Sequence, residues 1–156
     1  MCHQVSKNIS WMEVLVWMTV IFYLSHQPVT TSNGLSTEVT EVIVSKVEVV
    51  VTNHEFNMDS ANHIIRKNAH FFIYFVLGLF VCNALRKSGV NRSHGFVLSL
   101  IICVVYAISD EMHQYFVEGR GPQVKDVLID SSGAFTGIIL YFVTTFIVNH
   151  RRATKY

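Results

Sequence analysis

Charge is what this sequence has least of. Only 15% of its 156 residues are Asp, Glu, Lys or Arg, against about 25% in an average soluble domain. The formal net charge is +1, so no basic field gathers a polyanion, and nucleic-acid binding is excluded as a function class. Cysteine is equally sparse. Of the three, Cys82 and Cys103 lie inside apolar runs and Cys2 stands at the start, so there is no full disulfide set. CxxC pairs and Cys/His zinc spacings are absent too. Two prolines leave little linker. No repeat recurs at a solenoid period. There is no serine elbow, Walker loop or lipase motif, so no nucleophile can be named.

Apolar residues, in contrast, make up 51% of the chain, and the mean hydropathy is +0.37. They fall in four runs, at about 9–24, 69–85, 95–109 and 127–148. Crossing a hydrocarbon core of about 30 Å takes roughly 20 helical residues at about 1.5 Å each. Only the fourth run reaches that length alone. The others span if the polar residues at their ends belong to the same helices, which gives spans at about 9–25, 66–86, 95–113 and 127–148. Four helices apolar nearly all round cannot all be the centre of so short a soluble fold. The expectation is therefore an all-α integral membrane bundle of four transmembrane helices, one domain over 9–148. Residues 24–28 offer no small-x-small cleavage site, so the first span reads as an uncleaved anchor.

A polar loop, 25–61, separates the first two spans. Its middle is valine-rich, which favours strand. Yet Leu35, Val39, Val42, Ile43, Val47 and Val50 recur at helical spacing, with Glu38, Glu41 and Glu48 on the other side. The preferred reading is an extra amphipathic helix over 35–51 in this first external loop. With four spans, the compartment holding both termini carries seven Lys and Arg (Lys7, Arg86, Lys87, Arg92, Arg151, Arg152, Lys155), against five (Lys46, Arg66, Lys67, Arg120, Lys125) on the other side. That bias places the N and C termini in the cytoplasm.

The ionisable residues beside the spans cluster at one end. Before the second span, with Asp59 as a candidate N-cap, His63, Lys67, His70 and Tyr74 fall on one helical face, and Arg66 joins it. At the end of the third span Tyr106, Asp110, His113 and Gln114 share a face, with Glu111 about 100° away. Asp126 and Asp130 open the fourth span on one side, which Gly133 and Gly137 continue as a small-xxx-small stripe. A four-span topology brings these three helix ends to the same membrane surface, so Arg66, Lys67 and Arg120 face Asp110, Glu111, Asp126 and Asp130. Ordinary structural roles account for part of this. Lys67 and Lys125 can snorkel, Asp126 suits a helix N-terminus, the glycines suit close packing, and Tyr74 and Tyr106 suit an interfacial belt. Asp130, a turn inside an apolar segment, and the adjacent acids Asp110 and Glu111 at a helix carboxyl end break local rules, as functional sites do. Glu13 is assigned no role.

Three blocks carry a family resemblance. They are Ser25-His26-Gln27-Pro28; Arg66-Lys67, His70 and Tyr74; and Asp110-Glu111, Gln114, Phe116, Gly119-Arg120, Asp126, Asp130 and Gly133. In that order and spacing, over about 10–148, the chain resembles the VanZ-like family. The resemblance implies a small multi-pass protein of the bacterial plasma membrane, typical of Gram-positive bacteria, in a family whose name-giving member confers low-level teicoplanin resistance. It also implies a role for Gln27, Arg66, Lys67, His70, Tyr74, Asp110, Glu111, Gln114, Arg120, Asp126, Asp130 and Gly133. At position 130 it leads one to expect Asn as readily as Asp.

Three function classes follow. In the first, the outer charged pocket binds an anionic lipid-linked or cell-wall-precursor head group. Gln27, Arg66, Lys67, Tyr74, Gln114, Arg120, Asp126 and Asp130 contact it, and the arginines supply forked donors. In the second, the protein is a hydrolase or transferase on a lipid-linked phosphate or ester, with His70, Asp110 or Glu111 as acid and base. The third is an ion or solute permease, which the absence of midplane charge and of inverted repeats places last. No cofactor is expected. A metal would draw on His70, His113, Asp110, Asp126 or Asp130, a ligand mix that specifies no ion, and none is assigned.

Overall fold

The computed structural model describes residues 2–26, 58–117 and 123–153. Four helices make up these segments: α1 (Cys2–Ser25), α2 (Met58–Lys87), α3 (Arg92–Gln114) and α4 (Val124–Ala153). There is no strand among the described residues. Each helix contains a window long and apolar enough to cross a membrane: Gln4–Ser25, Ile64–Lys87, Arg92–Gln114 and Val124–Arg151. All four helices run past the apolar runs that announce them, because polar end residues such as Lys87, Arg92 and Gln114 are helical too. α2 begins at Met58, one residue ahead of the expected cap Asp59. The amphipathic helix expected over 35–51 lies outside the described residues.

The burial pattern is that of a protein dissolved in lipid. Large apolar side chains point outward, among them Leu15, Val16, Ile101, Val105, Val143 and Ile147. Ser10, Ser25, Ser99, Asp110, Glu111, Gln114 and Asp130 are buried. Between helices lipid offers no hydrophobic drive, so close packing and interhelical hydrogen bonds must hold the bundle together. Both are present. The Trp17 indole donates to the Ile73 carbonyl at 2.8 Å, and the Tyr106 hydroxyl donates to the Met18 carbonyl. Lys87 donates to Ser10 at 2.8 Å near the opposite end.

α2 is the hub, and the other three helices pack on it. Its tightest partner is α4, which runs parallel to it. A Cβ added at Gly133 would collide with the Phe71 carbonyl oxygen, and one at Gly137 with that of Phe75. Gly78 abuts the Ala134 carbonyl in return. Backbone thus lies on backbone over this stretch, which fixes the register of the two helices. α2 then ends in a tight turn at Gly89, whose φ of +80° suits a residue without a Cβ. That turn sends α3 back antiparallel, so Asp110 returns to the end of the bundle where α2 and α4 begin.

Candidate functional site

Asp130 stands one turn before Gly133, and His70 immediately precedes Phe71. The glycine contact therefore sets these two side chains level with each other. His70 Nδ1 lies 3.4 Å from Asp130 Oδ1. The last turns of α3 add Asp110. His70, Asp110 and Asp130 each offer one ligand-type atom, and all three atoms lie within 4.8 Å of one another. Asp110 is 2% exposed and Asp130 is fully buried. Tyr74, also fully buried, is one turn deeper on α2, and its ring centroid is 6.1 Å from that of Tyr106.

The two oxygens of Asp110 are in different situations. Oδ2 accepts from the Ser25 hydroxyl at 2.7 Å and from the Gln114 amide at 3.3 Å. Oδ1 has no hydrogen-bond partner among the described residues, nor do Asp130 Oδ2 and the Tyr74 hydroxyl. A buried polar atom without a partner is costly and rare, and it calls for a specific explanation. Here several such atoms occupy one small volume.

The rest of the ionisable set is arranged around this centre. Lys67 and Asp126 form an ion pair at 3.3 Å that joins α2 to α4. Both are partly exposed, so the pair is worth about 1 kcal/mol at most. Glu111 is buried, but its Oε2 accepts from the Gln123 backbone N–H at 2.9 Å and so ties the end of α3 to the start of α4. His113 turns away from the centre. Its ring lies 4.2 Å from that of Phe22, and its Nε2 is 3.0 Å from Nδ1 of His26. Arg66 is half-buried, and no ion pair involves it among the described residues. Gln27 and Arg120 lie outside the described residues.

Of the five groups weighed as metal ligands, then, His70, Asp110 and Asp130 converge, while Asp126 and His113 have other partners. Sequence reasoning missed Ser25 as part of the site. Its signal was the Ser25-His26-Gln27-Pro28 block, and the reason for that block is now visible in the hydroxyl held on Asp110. Ser25→Ala removes a donor from a buried carboxylate. It should lower stability in detergent by about 1–2 kcal/mol, the upper range for membrane hydrogen bonds. Thermal unfolding of wild type and variant side by side checks this.

Helices that are apolar outside and polar within, with a buried ionisable recess at one end, define a multi-pass membrane protein. Its kind is fixed by comparison. A family model described as VanZ/LLP1 matches residues 10–147, most of the chain, and the protein belongs to that family. No curated protein and no solved structure matches it significantly.

Proposed function

We propose that the polar recess receives the head group of an anionic lipid-linked molecule or cell-wall precursor at the outer face of the bacterial plasma membrane, with both termini in the cytoplasm. The observation that carries this reading is the concentration of buried hydrogen-bonding and ionisable groups at one end of an otherwise apolar bundle. Asp110, Asp130, His70 and Tyr74 form its floor, and Arg66 stands one turn above His70. A head group there keeps its tail in the bilayer. Arg66 supplies the forked donor geometry that phosphate and carboxylate take up bidentately and that lysine lacks. Sequestering such a molecule is also the simplest route by which this protein would lower sensitivity to glycopeptides such as teicoplanin.

Native mass spectrometry with phosphatidylglycerol and undecaprenyl phosphate as probes tests the proposal. Arg66→Lys should weaken adduct formation about tenfold, because the charge stays and the fork is lost. Unchanged adducts in Arg66→Lys and Arg66→Ala would refute the reading.

A second reading is favoured by one contact. An imidazole 3.4 Å from a buried carboxylate is the pairing by which general bases are oriented. The protein would then be an acid/base enzyme on a lipid-linked phosphate or ester. In that case His70→Ala abolishes turnover while probe binding survives, whereas pure binding tolerates exchanging a carboxylate for its amide.

A further inference from the structure

We propose that His70, Asp110 and Asp130 form a binding site for one divalent transition-metal cation. The proposal stands on these three residues alone and does not need the head-group reading.

The geometry comes first. Three donor atoms within 4.8 Å of one another can all surround a common point. At that largest separation the centre of the triangle lies about 2.8 Å from each donor, so small side-chain rotations bring the ligands to the usual distance of about 2.1 Å. The triad joins three helices, and the glycine contact between α2 and α4 holds two of its walls at fixed spacing.

Charge gives the second argument. Two carboxylates shielded from water need a compensating positive charge. The His70 imidazole stands beside Asp130, but among the described residues no Lys or Arg forms an ion pair with either carboxylate, and Lys67 is paired with Asp126. Asp130 Oδ1 faces the His70 imidazole at 3.4 Å, and Asp110 Oδ1 and Asp130 Oδ2 have no hydrogen-bond partner among the described residues. A divalent ion engages both carboxylates at once.

The setting of Asp110 supports the same conclusion independently. Ser25 and Gln114 both hold Oδ2 and leave Oδ1 presented to the centre. Outer partners that steady one oxygen while the other is left for the ion are a regular feature of metal-binding carboxylates. One imidazole with two carboxylates suits manganese, iron or zinc better than calcium or magnesium, which prefer all-oxygen shells. Three protein ligands also leave coordination positions for water or an anionic ligand.

The test uses the purified full-length protein in detergent, stripped with a chelator and titrated with Mn2+ or Zn2+. Elemental analysis should find one equivalent of either ion, and Mn2+ paramagnetic resonance should show nitrogen coupling from His70. Asp130→Asn and Asp110→Asn should each weaken binding at least tenfold. Glu13→Gln, which removes an exposed charge outside the cluster, should bind as wild type does. Melting curves separate ion loss from misfolding. Without ion, Asp130→Asn should melt at or above wild type because it buries one charge fewer. With Mn2+ only the wild type should gain. Wild type that takes up no stoichiometric ion, or Asp130→Asn that binds it with wild-type affinity, overturns the proposal. Lipid adducts by native mass spectrometry, measured on the same ion-free protein, report separately on the head-group reading.

Discussion

Gly133→Ala should destabilise the protein by about 3 kcal/mol, although a methyl group is all that is added. Two effects oppose each other. Helix propensity alone favours Ala over Gly by about 1 kcal/mol. Packing works the other way and is larger, because the new Cβ meets the Phe71 backbone and not a flexible side chain. Backbone cannot swing aside, so α2 and α4 must separate, and a contact made over several turns loosens at once. Gly137→Ala meets the same obstacle at Phe75 and should behave alike. The internal control is Gly95→Ala in α3, where the nearest atom is the tip of the Phe142 ring at 4.0 Å. Propensity should prevail there, leaving stability equal or improved. Unfolding of the three variants in the same detergent decides the matter. A Gly133→Ala protein as stable as wild type would mean that the two helices are not in backbone contact.

Tyr74 yields the second large effect, and it splits between two substitutions. Tyr74→Ala empties the largest fully buried side chain at the floor of the recess. The lost dispersion contacts and the resulting cavity should cost about 3–4 kcal/mol. Tyr74→Phe keeps the volume and removes only a hydroxyl that has no hydrogen-bond partner among the described residues. Stability should therefore hold or rise slightly, since a buried hydroxyl without a partner is a net cost. Any loss of probe binding in Tyr74→Phe would then report a direct contact between the hydroxyl and the ligand. A large loss of stability in Tyr74→Phe would show that the hydroxyl has a structural partner.

How far the fold could be read from the sequence depended on which physical signal carried each part. The spans were legible because runs such as 127–148 have no other use in so short a chain. Their ends were less so. Arg92 lies three residues outside the apolar run at 95–109, yet α3 begins there. The convergence of His70, Asp110 and Asp130 was legible from alternating topology, which sends three polar helix ends to one surface. What separates Asp110 from Glu111 was not. Adjacent residues differ by about 100° around a helix, and the rotation of α3 that aims one at His70 and the other at Gln123 is set by tertiary packing. Ser25 was illegible for a related reason, since a serine at a helix end is ambiguous until its partner 85 residues away is known.

The first helix is the most loosely held of the four. It leans on α2 and touches α3, but α1 and α4 share no contact among the described residues. Among the described residues the helices therefore make a circuit, α1–α2–α4–α3, in which α1 and α4 stand at opposite corners. Its weakest side is the seam between α1 and α3, bridged by the hydroxyls of Ser25 and Tyr106, so strain on the bundle should part the helices there first.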